Sequence, residues 1–470
     1  MDLHHLTATR ARDLFRRREL SPVELLDAVN TRIDKTEPIV NALTEEMREE
    51  AYASAREAER RYAGLGPEPR PLEGIPLVLK EEQPIAGRTI EEGSLLERGR
   101  VSDVSHPLVD RVRDAGAVVH ARSTTPEFSC APFTHSRLWG VTRNPWNTEA
   151  TPGGSSGGSG AALAAGQTIL ATGSDIGGSI RIPASFCGVV GFKPPFGRVP
   201  GLPPFNQDTY CADGPMGRSV ADVALLQNVL SGAHPWDQAS LREQVRLPLQ
   251  PEPAEGLRVA LCVDLGDYPV DPVVAAHTYR AAEALRAVGV TVDEVSLPWT
   301  REQLIETAWA HFGAVMGPFI DEVVGDNADL VMPYTRAFAE RAAEAAPYAV
   351  GLMGEAELYR PLGQVLEHYH ALLCPTVGAQ AIPAEPEGVD YLVAVGSESY
   401  PWTDVLLTMP FNVVGRVPVL AVPSGVAPNG VPTGMQIVGR TYDDPTVFRL
   451  GAALECELDL WTDDSWWPSL

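Results

Sequence analysis

The chain has 470 residues, 44% of them hydrophobic and 21% charged, enough to bury a large core and too apolar for disorder to be the default. A formal charge of −25 argues against nucleic acid or an anionic membrane as a general partner, because both require clustered Lys and Arg. The six cysteines are scattered with no CxxC pair and no zinc-like spacing, so no metal and no disulfide framework is expected. Neither an apolar secretory core at the N-terminus nor an apolar run of about 18 residues is present, and a reduced, cytoplasmic setting is the expectation.

In chain order, Ser21-Pro22-Val23-Glu24 is a helix start: a serine cap, a proline at the first helical position and a glutamate closing a capping box. Leu25, Leu26, Val29 and Ile33 then recur at helical spacing. A Glu/Ala/Arg-rich helix is expected over 45–62. Residues 75–79 form a short apolar run, strand-like by length, that ends on Lys80. A lysine closing a buried strand needs a partner, either a structural ion pair or a reaction. A helix over 109–115 and a strand over 117–121 follow. After the glycine-rich stretch described below come a helix capped by Ser219 and running to Leu230, a strand at 257–263, a helix at 272–287 and a strand at 290–295. Such alternation favours a mixed α/β sheet. Residues 299–370 are mostly helical, with an aromatic load (Trp299, Trp309, Phe312, Phe319, Tyr334 and Phe338) assigned to core while leaving room for a substrate-specific wall. Strands are expected to end the chain near 372–376, 418–423 and 435–439.

The densest chemistry lies between Thr151 and Pro194, TPGGSSGGSGAALAAGQTILATGSDIGGSIRIPASFCGVVGFKP. Glycine at this density is used where the backbone adopts conformations other residues cannot. A small-residue helix at 161–165 separates two knots that each bear serine.

Three readings compete for these knots. The run Gly154-Ser155-Ser156-Gly157-Gly158 fits GxSxG, which makes Ser156 a nucleophile with an acid and then a histidine downstream; the last 100 residues contain no histidine. A phosphate cradle needs a lysine or GK[ST] that is absent between Lys80 and Lys193. The third reading takes Ser179, preceded by Ile176-Gly177-Gly178, as a nucleophile beside convergent backbone N–H groups suited to a developing oxyanion. Its base is not a nearby histidine, and a lysine serves once burial favours the neutral amine.

On these residues the chain resembles the amidase signature family. The knot GGSSGGS at 153–159, DIGGSIR at 175–181 and PASFCGVVGFKP after it match the signature almost throughout, and GIPLVLKE at 74–81, DGPMGRSVADVALL at 213–226 and GMQIVGRTYDD at 434–444 are similar to its other landmarks. The resemblance is essentially full-length. It implies an α/β fold with a large central mixed β-sheet covered by helices on both faces, as one domain over 1–470, with an N-terminal helical segment (1–65), a catalytic core (70–232) and a more variable region (299–370). It also implies a Ser–Ser–Lys triad: Ser179 the nucleophile, Ser155 the bridge joined to Gly154 by a cis peptide, and Lys80 the base. The amides of Ile176, Gly177, Gly178 and Ser179 form the oxyanion hole, with Ser156, Asp175 and Arg181 as supports. No metal and no organic cofactor is implied.

Two departures bear on the pocket. Lys80 is followed by Glu81-Glu82-Gln83 where the family commonly has aspartate first, and 121–128 lacks the family's lysine–threonine–asparagine run. Ser129, Cys130, Trp402 and Phe411 are the expected substrate-pocket residues. The glutaminase component of a tRNA-dependent amidotransferase needs a carboxylate for glutamine, and Asp404 lies one residue out of register among apolar neighbours. The expected function is therefore a stand-alone amidase for a hydrophobic or aromatic amide. The alternatives are a carbamate, ester or anilide hydrolase, that glutaminase component, and a non-catalytic binding protein. The expected partner is a small-molecule amide, with no nucleic acid or membrane, and a homodimer is left open.

Overall fold

The computed structural model describes residues 2–386, 391–460 and 466–470. Eleven strands form one mixed sheet: β1 (Leu43–Glu46), β2 (Pro76–Lys80), β3 (Val118–Ser123), β4 (Leu170–Asp175), β5 (Val190–Lys193), β6 (Ala212–Gly217), β7 (Arg258–Leu261), β8 (Thr291–Glu294), β9 (Ala371–Pro375), β10 (Val419–Val426) and β11 (Pro432–Gly439). Their spatial order is β1-β3-β2-β4-β6-β5-β10-β11-β9-β7-β8. Every residue of β2 and β9 is buried, as expected for strands covered on both faces. The two faces are legible in β2 itself. Leu77 and Leu79 pack into one apolar layer with Leu25, Val29 and Leu226, while Val78 enters another with Ala164, Ile180 and Ala184.

Helix α1 (Pro22–Val40) starts with the full capping box, Ser21 accepting from the Glu24 amide and Glu24 accepting in return. Helix α2 (Arg48–Tyr62) begins later than the expected 45–62, because Glu45 and Glu46 belong to β1 and pair antiparallel with Arg122 and Ala121. Their charges favour the strand, since Arg88 and Arg122 both face Glu45. Helix α3 (Gly157–Ala164) starts four residues before the expected 161–165 and takes up half of the first glycine knot; it packs on α4 (Arg181–Cys187). The region 299–370 comprises α5 (Arg301–Val315), α6 (Gly317–Val324), α7 (Pro333–Ala343) and α8 (Tyr348–His368). Trp299, Phe312 and Tyr334 are buried there as expected, and the Trp299 indole N–H donates to the Leu358 carbonyl at 3.0 Å. None of the described helices is long and apolar enough to cross a membrane.

The topology sets up one edge of the sheet. Strands β2 and β4 are parallel neighbours, with Leu77 level with Leu170 and Val78 with Ala171. The same register carries Lys80, at the C-terminal end of β2, to the level of the last residues of β4.

Candidate active site

Lys80 is fully buried, and its side-chain nitrogen has three oxygen partners: Ser155 Oγ at 2.6 Å, Ser174 Oγ at 2.9 Å and Glu82 Oε2 at 3.0 Å. Ser155 is joined to Gly154 by a cis peptide. Beside it, Ser179 is bound through its backbone carbonyl to the Ser156 amide at 3.1 Å and is 7% exposed. The hydroxyls of Ser155 and Ser179 share no hydrogen bond among the described residues, a looseness common before substrate binds. Ser156, the serine that fits GxSxG, is fully buried, its hydroxyl directed to the Ser174 backbone.

The second knot is shaped by Asp175 and Arg181, both wholly buried and 2.8 Å apart. Asp175 accepts the amides of Gly178 at 2.9 Å and Ile180 at 3.1 Å, two bonds from the Arg181 guanidinium, and one from Asn412 at 2.8 Å. Burial pushes its carboxyl up, but Arg181, Asn412 and Lys193 together outweigh burial and hold it below the usual range. The expectation that four amides converge needs one correction. The Gly178 N–H is taken by Asp175, which leaves those of Ile176, Gly177 and Ser179 without an acceptor among the described residues. Gly178 sits at φ 124°, where a Cβ would also lie 2.1 Å from Thr408 Oγ1, so the position admits no side chain. Thr408 closes the loop by donating to the Gly177 carbonyl at 2.8 Å.

A cavity of about 570 Å³ opens against this loop, and Ser174, Ile176 and Glu82 form part of its wall. Phe128, Phe205, Met316, Phe319 and Ile320 supply an apolar side, the last three from the helical region 299–370. Glu92 lines it too, its carboxyl pushed up to about 7 by burial, with Arg100 pulling the other way. Of the expected pocket residues, Ser129 lines the cavity and donates to Glu82 Oε2, while Cys130 is partly buried behind Phe128 and off the wall. Trp402 and Phe411 are not part of this wall. Trp402 stacks on Tyr391 near Phe133, carried there by the hairpin of Leu392–Val395 and Glu398–Pro401, and Phe411 is fully buried against Trp299. Asp404 is bound to Arg301 at 2.7 Å.

Glu82, Ser174 and Thr408 were not singled out by the sequence. Glu82 reaches Lys80 because the chain turns directly after β2, the Gln83 amide donating to the Lys80 carbonyl at 3.0 Å, and strand periodicity does not announce such a turn. Glu81 projects the other way, accepting the amides of Glu91 and Glu92 at 2.7 and 3.0 Å.

The family model described as Amidase matches residues 24–448. The chain is 33% identical over 496 residues to the A component of glutamyl-tRNA(Gln) amidotransferase from Chloroflexus aggregans, covering 97% of this chain and 96% of that protein. Among solved structures it is similar to 6-aminohexanoate cyclic dimer hydrolase (30% identity, TM-score 0.84, 98% and 99% of the two chains). It shares its fold with a bacterial aryl acylamidase (24% identity, TM-score 0.89, 97% of each chain). Full-length matches of this kind, on a chain with this sheet and this serine-and-lysine edge, place it in the amidase signature family of serine-based amide hydrolases.

Proposed function

We propose that the chain, acting as one domain, hydrolyses a carboxylic amide through an acyl-enzyme on Ser179. The observation that carries this reading is the 2.6 Å contact between Lys80 Nζ and Ser155 Oγ beside three unengaged amides. Ser179 Oγ bonds to the amide carbon as its proton passes to Ser155, whose own proton passes to neutral Lys80. The carbonyl electrons move onto oxygen, where the N–H groups of Ile176, Gly177 and Ser179 stabilise them. Collapse breaks the C–N bond, and the leaving nitrogen recovers the proton from Lys80 through Ser155. Water then attacks the ester by the same relay and frees the acid. Ser156, Asp175 and Arg181 hold the backbone around these groups.

For the substrate, the relatives favour the glutaminase alternative over the hydrophobic amide expected from sequence. The relative from Chloroflexus aggregans is a component of an amidotransferase, 33% identical across nearly the whole chain. A second reading, a stand-alone hydrolase of apolar amides, is supported by the apolar side of the cavity and by Arg301 occupying Asp404. The 30% identity to a cyclic dimer hydrolase supports it as well. Ammonia release from glutamine, measured with and without the other amidotransferase components, beside a panel of aryl and cyclic amides, separates the two. Ser179→Ala is expected to abolish every activity in the panel, and full turnover by that variant would overturn the acyl-enzyme reading.

A further inference from the structure

The relay needs Lys80 to be neutral and its lone pair to face Ser155. A neutral amine has two N–H bonds and one lone pair, and Lys80 Nζ has three oxygen neighbours. If Ser174 and Glu82 each accept one N–H, the lone pair is left for Ser155. Glu82 is suited to this task. Its Oε2 takes both Lys80 and the Ser129 hydroxyl, so the carboxylate is fixed from a second side. We propose that Glu82 is a positioning residue for Lys80, aiming the lysine lone pair at Ser155. This rests on the acyl-enzyme reading above.

Among the charges of the described residues around Lys80, Glu82 is the one in direct contact. Asp213, on β6, also feels the lysine, but its oxygens are engaged by Gln83 at 2.8 Å and His106 at 3.3 Å. Cys211 carries a thiol that burial pushes well up, so it stays uncharged. Glu81 is engaged with Arg122 and the 91–92 backbone.

The test is Michaelis kinetics on one amide substrate, with thermal melts to verify folding. Glu82→Leu removes the acceptor and is expected to lower kcat at least about tenfold, because the lone pair is no longer aimed. Glu82→Gln keeps an oxygen acceptor for the Lys80 N–H and is expected to recover a large part of that kcat loss. Equal kcat in the two folded variants, or losses expressed only in KM, overturns the proposal. Its failure differs from failure of the underlying reading, which shows instead as activity retained in Ser179→Ala.

Discussion

Asp175 and Arg181 are fully buried charges whose chief product is backbone geometry. Asp175 takes up the Gly178 and Ile180 amides, Arg181 reaches the Thr408 carbonyl at 2.9 Å, and Asn412 bridges both partners. Removing one charge from such a pair strands the other, a cost of roughly 3–5 kcal/mol. Asp175→Asn is therefore expected to lose stability of that order in denaturant unfolding, and to lose kcat more than KM, since the free amides of Ile176, Gly177 and Ser179 lose their aim. Unchanged kcat in a folded variant would show that the loop holds its shape without the carboxylate. Much at the residue scale was legible: the glycine knots, Ser155, Ser179 and Lys80 all meet at one edge. Backbone freedom accounts for only some of the glycines. In the first knot only Gly153 has positive φ; Gly158 is required by close approach, a Cβ there lying 2.4 Å from Thr124 Oγ1. Close approach between segments distant in sequence leaves no local pattern. For the same reason nothing local announces that Asp175 captures the Gly178 amide.

At the scale of elements, the pocket wall depends on how two helices meet. Helices α5 and α8 pack through Gly354 and Gly351, where a Cβ would lie 2.4 Å from Thr307 Oγ1 and 3.1 Å from Ala310 Cβ. Glycine in a helix costs about 1 kcal/mol against alanine, so the spacing of these two serves contact. The chain leaves α5 directly into α6, which carries Phe319 and Ile320 to the cavity. Gly354→Leu should push α8 from α5, costing about 1–3 kcal/mol by overpacking. It should also raise KM with kcat nearly kept, because the wall moves while Lys80, on β2, and the serine loops beside it do not. A thermal melt and Michaelis kinetics on one substrate check both parts, and a kcat loss with unchanged KM would contradict this division. The helices of 299–370 were legible as helices, but their pairing was not, since glycines inside them resemble interruptions. The same limit applied to Trp402 and Phe411, whose aromatic character fitted a pocket as well as the packed positions they occupy.

For the whole molecule, the mixed sheet followed from alternating patterns and its two covered faces from the family resemblance, whereas the strand order followed from neither, because pairings such as β5 with β10 join segments far apart in sequence, Lys193 lying level with Val419. Long-range burial also fixes the response to acid. His120 on β3 is buried, bonded to Thr168 Oγ1 at 3.1 Å, and burial drives its pKa from 6.5 to about 3. His4 is lowered to about 4, first by burial and then by Arg32. A depressed histidine is neutral in both states above 6.5, so its stabilisation is complete there. Between 6.5 and the folded value the unfolded chain binds protons that the fold refuses, and stability falls as pH falls. A buried carboxyl whose pKa is raised acts in the opposite sense. Asp444, raised to about 7 by burial against the pull of Arg198, is protonated in the fold before it is in the unfolded chain, and stability from that group grows as pH drops from about 7 toward about 4. The total curve mixes both signs, so the diagnostic quantity is a difference. The stability of the parent minus that of His120→Leu, measured by denaturant unfolding, should shrink from about pH 7 toward about pH 3, by up to about 1.4 kcal/mol per pH unit below 6.5. A difference constant across that range would mean that His120 takes up its proton inside the folded sheet.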